Sequence, residues 1–211
     1  MTYILITIIT IFLLWSIWGF FSSNVEQADY SIVKKMDIYE IREYPAHIIA
    51  QTKVQGSYVE SMNKGFRILA GYIFGGNTKN ESIAMTASII VQKKDNPKAS
   101  ENIAMTVPVV AITEGDSQVV SFGMPRSYTL ETLPKPNDSR VKIVTIPAKK
   151  YGVMRFSWYR SDARIKHTQE KLLLALTRDG IMLSGNIAYA GYNAPWTPPW
   201  MMRNEVLVEV K

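Results

Sequence analysis

Apolar and polar positions divide the chain into an oily leader and two stretches with a shared grammar. Tyr3–Phe21 contains no charged side chain, and only Thr7, Thr10, Ser16 and Gly19 interrupt its run of large apolar and aromatic residues. As a helix of 19 residues it would measure about 28 Å, close to the hydrocarbon thickness of a bilayer. The hydroxyls can bond back to the helix backbone, and Trp15 and Trp18 sit towards one end, as an interfacial belt would. The pattern therefore predicts a single-pass transmembrane helix within residues 1–25, followed by a linker over 26–36. A cleaved signal fits less well, because the start lacks Lys or Arg and no small-x-small site follows. Lys34 and Lys35 lean weakly towards a cytoplasmic body.

Beyond the linker, residues 37–54 alternate in polarity and break at Pro45, which predicts a bent strand or a tight pair. Ser57 and Glu60 have capping-box spacing, and Val59, Met62, Phe66, Leu69 and Ile73 recur at three and four, so a helix follows until Gly75-Gly76. Ile83-Ala84-Met85-Thr86 recurs as Ile103-Ala104-Met105-Thr106. Each copy opens a β-branched run, and the two predict the arms of a long antiparallel hairpin. The second stretch repeats this order. Val141–Ile146 reads as a strand, Pro147 breaks it, Tyr151–Trp158 is another, and Asp162–Arg178 is a helix stopped by Gly180. Strands at Asn186–Tyr192 and Glu205–Val210 flank a proline-rich loop. Pro45-Ala46 and Pro147-Ala148 fall at matching points, which predicts a tandem strand–helix–strand–strand repeat over 37–113 and 140–211. Each half would leave an apolar sheet face for its partner to cover.

Composition narrows the chemistry. There are 24 basic and 18 acidic residues in a chain of 211, and the excess is spread without a dense run. No basic patch with interleaved aromatics is present, so nucleic acid is not an expected partner. The absence of cysteine rules out disulfides, Fe–S clusters, thiolate nucleophiles and covalent haem attachment through Cys-x-x-Cys-His. The two histidines, His47 and His167, have no spacing that ensures a shared metal. No nucleophile elbow or phosphate loop occurs, and the acidic pair Glu40/Glu43 lies on opposite faces of a strand, so no acid–base couple stands out.

A flat apolar ligand is easier to accommodate. Lys64, Arg67, Ile68 and Tyr72 lie off the core stripe of the first amphipathic helix. Ile68 and Tyr72 can pack on a macrocycle while Lys64 and Arg67 bind its carboxylates; an ordinary solvated helix face is the alternative. The loop from Tyr192 to Arg203 carries Trp196 and Trp200 and reads either as a ligand lip or as a cap on the core.

Seven segments in order resemble the SOUL haem-binding family over roughly residues 30–211. They are Tyr39–Pro45, Phe66-x-x-Leu69-x-x-Tyr72-Ile73, the two Ile-Ala-Met-Thr arms, Phe122-x-Met124-Pro125, Leu133-Pro134-x-Pro136-x-Asp138, Gly191-Tyr192-Asn193-x-Pro195 and Arg203-Asn204-Glu205-Val206. The resemblance implies an α+β fold, a distorted antiparallel β-barrel with two helices, occupying 37–211. It implies reversible, non-covalent binding of haem or free porphyrin in a shallow groove between Lys64–Tyr72 and Tyr192–Arg203. The expected contacts are Lys64, Arg67, Ile68, Tyr72, Tyr192, Trp196, Trp200 and Arg203. Certain relatives carry a histidine where this chain has Glu43; His47, on the same strand parity, is the candidate axial ligand, with a plain strand histidine as the alternative. The expected function is a membrane-tethered protein that carries or buffers haem. A groove for a peptide or lipid is the alternative, followed by a haem-modifying enzyme.

Overall fold

The computed structural model describes residues 2–22, 29–78, 106–114, 117–193 and 196–211. The first Ile-Ala-Met-Thr copy, the polar connector and most of the second copy lie outside the described residues. Of the hairpin expected there only Thr106 onward lies within them, and that strand pairs with Ser117–Gly123 and, over Val109–Ile112, with Ala188–Gly191 on its other side.

Helix α1 (Thr2–Ser22) comes first. Strand β1 (Ser31–Lys35) follows, inside the span expected to be linker. The first half then runs β2 (Glu40–Tyr44), β3 (His47–Gln55), α2 (Tyr58–Ile73), β4 (Asn77–Thr78), β5 (Thr106–Glu114) and β6 (Ser117–Gly123). The second runs β7 (Lys135–Pro136), β8 (Lys142–Ile146), β9 (Lys149–Phe156), α3 (Asp162–Arg178), β10 (Leu183–Gly191) and β11 (Asn204–Val210). Both larger helices start as local chemistry dictates. Ser57 Oγ accepts the Glu60 amide while Glu60 returns a carboxylate oxygen to the Ser57 amide, a reciprocal capping box. Ser161 Oγ accepts the Arg164 amide at the start of α3.

Nine strands form one antiparallel sheet in the order β1-β2-β9-β11-β10-β5-β6-β3-β8, and β4 pairs with β7 separately. From the central β10–β5 pair the order is the same in both directions: β10, β11, β9, β2 on one side and β5, β6, β3, β8 on the other. The two halves have thus exchanged their first strands. β2 of the first half pairs with β9 of the second, and β8 of the second pairs with β3 of the first. Pro45-Ala46 and Pro147-Ala148 occupy the two bends that permit this exchange, because proline cannot continue a ladder as a donor.

The expected barrel is corrected by this topology. The sheet is open, and its edge strands β1 and β8 do not pair with each other. All of β1 is exposed, including Lys34 and Lys35, and Lys142 is exposed on β8, so both edges carry solvated positive charge that resists closure. The expected membrane anchor is also corrected: among the described residues no helix is long and apolar enough to cross a membrane. Part of α1 instead meets the body of the protein. Phe12 stacks on Trp200 at 4.9 Å between ring centroids, and Trp15 Nε1 donates to the Trp196 carbonyl at 3.0 Å. The expected membrane localisation and membrane partner rested on that anchor and lose its support.

Helix α2 lies on β3, β5 and β6, and α3 lies on β9, β10 and β11, both on one sheet face. Glycine sets the distance in each case. A Cβ on Gly65 would meet three side-chain atoms of Val120 at 2.5–2.8 Å, and one on Gly152 would meet Leu176 at 2.8 Å. Leu69, Ile73, Val120, Phe122, Ile165, Leu172, Leu176 and Val206, all fully buried, fill the layer between helices and sheet. This layer stabilises the fold through the apolar area it removes from water. The opposite face carries a smaller cluster of Tyr44, Val153, Ala188, Ala190 and Leu207, flanked by Tyr30, Tyr151 and Tyr192.

Candidate functional site

Helix α2 ends because Gly75 adopts φ +105° and Gly76 follows so closely that a Cβ there would lie 2.4 Å from the Gly71 carbonyl. The chain then folds against residues 133–140. Tyr72 Oη donates to the Pro134 carbonyl at 2.8 Å, Asn77 Nδ2 donates to the Tyr72 carbonyl at 2.8 Å, and the Asn137 amide donates to Gly76 at 3.0 Å. Between these tied segments lies an open cleft of about 490 Å³, bordered by Arg67, Ile68, Gly71, Tyr72, Asn137 and Arg140 among others.

The charges at the cleft are unequal. Arg140 grips Asp138 through Nε at 3.0 and 3.1 Å and through Nη2 at 2.6 Å. The Arg140 side chain and its backbone amide hold the Asp138 carboxyl down at about 2. That pair is neutral as a unit. Arg67 is exposed and has no ion pair among the described residues, so it is the cation the cleft can offer to an incoming carboxylate. Half-buried Ile68 supplies apolar wall, and no atom of the described residues lies within 4 Å of where a Gly71 Cβ would stand, which leaves the helix backbone open to a flat ligand among them.

The expected site residues divide between places. Arg67, Ile68 and Tyr72 come together at the cleft, although Tyr72 is 2 % exposed and belongs chiefly to the core. Lys64 does not border it; Lys64 Nζ reaches the Gln55 carbonyl at 3.4 Å. None of Tyr192, Trp196, Trp200 and Arg203 borders it either. Their loop meets α2 at its first turn, where Val59 shares a smaller pocket with Asn193 and Met202. Val59 and Ile68 are about 13 Å apart along a helix axis.

The reason is a buried charge that sequence reading missed. Glu205 is 0 % exposed and holds both ends of the loop. Tyr192 Oη donates to Glu205 Oε2 at 2.6 Å, and Arg203 Nε donates to Oε1 at 2.8 Å. Arg42 Nη1 adds a bond of 3.0 Å from β2, and its guanidinium also lies 4.3 Å from the centre of the Tyr30 ring. Burial, reinforced by the Glu205 carboxylate, pushes the Tyr192 phenol far above its ordinary value. Arg203 is thus committed to Glu205 and to the face of Tyr192, 4.1 Å from its ring centre, rather than to the cleft. Local periodicity carries no sign of this cluster, because its members come from β2, β11 and the loop.

Neither histidine reaches the cleft. Ala50 and Ile48 pack with the core under α2, so His47, of opposite parity on β3, projects from the other sheet face; its Nδ1 lies 2.8 Å from the Pro45 carbonyl. His167 is exposed on α3. Among the described residues no group of three His, Cys, Asp or Glu can hold a metal.

Comparison with known proteins adds a family and a fold. The family model described as SOUL heme-binding protein matches residues 25–209. No curated protein matches the chain significantly. The C-terminal domain of EcmrR is similar in fold, with a TM-score of 0.54 at 10% identity, covering 86% of this chain and 98% of that domain. A hydrolase from Listeria innocua is similar at 14% identity and a TM-score of 0.54, covering 85% of this chain and 94% of that one.

Proposed function

This chain belongs to the SOUL haem-binding family, and from that membership we propose that it binds haem or free porphyrin non-covalently in the cleft at the end of α2 and carries or buffers it. One observation carries the reading: an open cleft of about 490 Å³ in which Ile68, the exposed backbone at Gly71 and an Arg67 without an ion pair among the described residues lie side by side. That volume falls within the usual range for small-molecule sites, about 300–1,000 Å³. Ile68 and the edge of Tyr72 would take the apolar face of the ring. Arg67 would pair with a propionate by charge-assisted hydrogen bonds. Bound haem would supply a redox-active iron, but no histidine borders the cleft, and Tyr72 Oη already donates to Pro134. The described residues of the cleft border therefore fit a macrocycle held by packing and carboxylate pairing, without an iron ligand among them.

The test is a pair of absorption titrations of the full chain, with haemin and with metal-free protoporphyrin. Both should give saturable shifts of the Soret band, with dissociation constants within about tenfold of each other, since iron contributes little. Arg67→Glu should weaken both by about tenfold or more. No Soret shift at micromolar haemin overturns the reading. Binding of haemin alone overturns the ligand-free iron.

A further inference from the structure

The small pocket at the other end of α2 has features that the tetrapyrrole reading does not use. It is about 170 Å³ and is lined by Val59, Tyr159, Arg160, Asn193, Met202 and Asn204. A cavity of about 150 Å³ admits one benzene ring, so this pocket suits a single ring and not a macrocycle. Its walls are chemically divided. Val59, Met202 and Tyr159 supply apolar surface, and Arg160, Asn193 and Asn204 supply polar groups.

Arg160 is held in place without being neutralised. Its Nη2 donates to Asn63 Oδ1 at 3.1 Å, and it forms no ion pair among the described residues. Asp162, two residues on in the chain, accepts the Val59 amide at 3.2 Å, at the start of α2. Arg164 Nη1 donates to the Tyr159 carbonyl at 2.6 Å and fixes the backbone of the pocket's aromatic wall.

The segment leading into the pocket is strained. Trp158 has φ +76°, the one non-glycine residue with positive φ among the described residues. For a bulky L-residue this conformation is costly and persists only where the surroundings over-determine it. Here both its backbone groups are clamped. The Trp158 amide donates to the Pro199 carbonyl at 2.8 Å, and its carbonyl accepts Asn204 Nδ2 at 2.9 Å. Asn204 is in turn fixed by Tyr189 Oη at 2.6 Å. The bend at Trp158 is what turns Tyr159 and Arg160 towards the loop and α2.

We infer that this pocket is a second binding site, for a small monocarboxylate carrying one ring, with the ring between Val59, Met202 and Tyr159 and the carboxylate on Arg160. It is independent of the cleft by Arg67: the two share no lining residue, and each lies at its own end of α2.

The probe is benzoate, titrated calorimetrically into the full chain, with benzamide as its neutral counterpart. Benzoate should bind saturably below about 10 mM, and benzamide at least about tenfold more weakly, because it lacks the charge that Arg160 recognises. Arg160→Gln should weaken benzoate about tenfold or more, and Val59→Trp should abolish binding by filling the pocket; each variant is checked for a parental circular dichroism spectrum. Arg67→Glu should leave benzoate affinity unchanged. The inference is overturned by no benzoate binding, by equal binding of benzamide, by binding that survives both Arg160→Gln and Val59→Trp, or by competition between benzoate and haemin. Benzoate binding without any haemin response would sink the tetrapyrrole reading and leave this one standing.

Discussion

Replacing Glu205 by leucine removes the acceptor on which three donors from two parts of the chain converge. The carboxylate is 0 % exposed and receives Arg42, Arg203 and Tyr192 at 2.6–3.0 Å. Arg42 keeps a second partner, Glu40 Oε2 at 2.7 Å, so its loss is partial. Arg203, with its side chain 14% exposed, loses the carboxylate it grips with Nε and Nη2. Tyr192 loses its acceptor in a half-buried setting. Stranding one partner of a buried ion pair costs about 3–5 kcal/mol, and an unsatisfied buried hydroxyl about 1–3 kcal/mol. These overlap and relax, so the net expectation for Glu205→Leu is about 3–4 kcal/mol. With a urea m-value of about 2 kcal/mol/M, the unfolding midpoint should fall by about 1.5–2 M. Glu205→Gln keeps the shape and part of the bonding, and should cost about half as much. The double variant Arg203→Met with Glu205→Leu should recover a part of the loss, since an apolar pair strands less charge. A loss below about 1 kcal/mol for Glu205→Leu would refute the reasoning, because the cluster would then behave like a solvated surface bridge.

Gly65→Ala should destabilise the protein by about 1–3 kcal/mol through overpacking, because its Cβ would fall 2.5 Å from Val120; thermal unfolding of this variant beside Gly65→Ala with Val120→Ala should show partial compensation. Ser57→Ala should cost about 1 kcal/mol by breaking the capping box, read from the same unfolding curves. The Asp138 carboxyl should titrate near 2 by carbon-13 NMR, below its ordinary 3.8. A depressed carboxyl stabilises the fold above its unfolded value, so the Arg140 chelate should be intact above about pH 4 and lost as pH falls through 2. Arg140→Gln should return the midpoint towards 3.8.

The parts of this protein legible in the sequence are those written within one turn or one strand. The capping box at Ser57, the three-and-four spacing along α2, the span of α3 from Asp162 to Arg178 and the proline bends are consequences of neighbouring residues alone. Arg67 and Ile68 on the open side of α2 were legible for the same reason, since helical periodicity assigns faces. Even there, Phe66 from the apolar stripe is 39% exposed and Tyr72 from the open face is buried, because residues 133–140 cover one and not the other.

Tertiary structure decided which strands pair, which charges meet and which loop borders which pocket. The exchange of β2 and β8 between halves, the open edges at β1 and β8, the capture of Arg42 by Glu205 and the separation of the tryptophan loop from Arg67 all depend on residues far apart in the chain. Such pairings depend on which faces are left uncovered once every element is in place. A short window of sequence records the face each residue prefers, but not the partner that will be waiting on it.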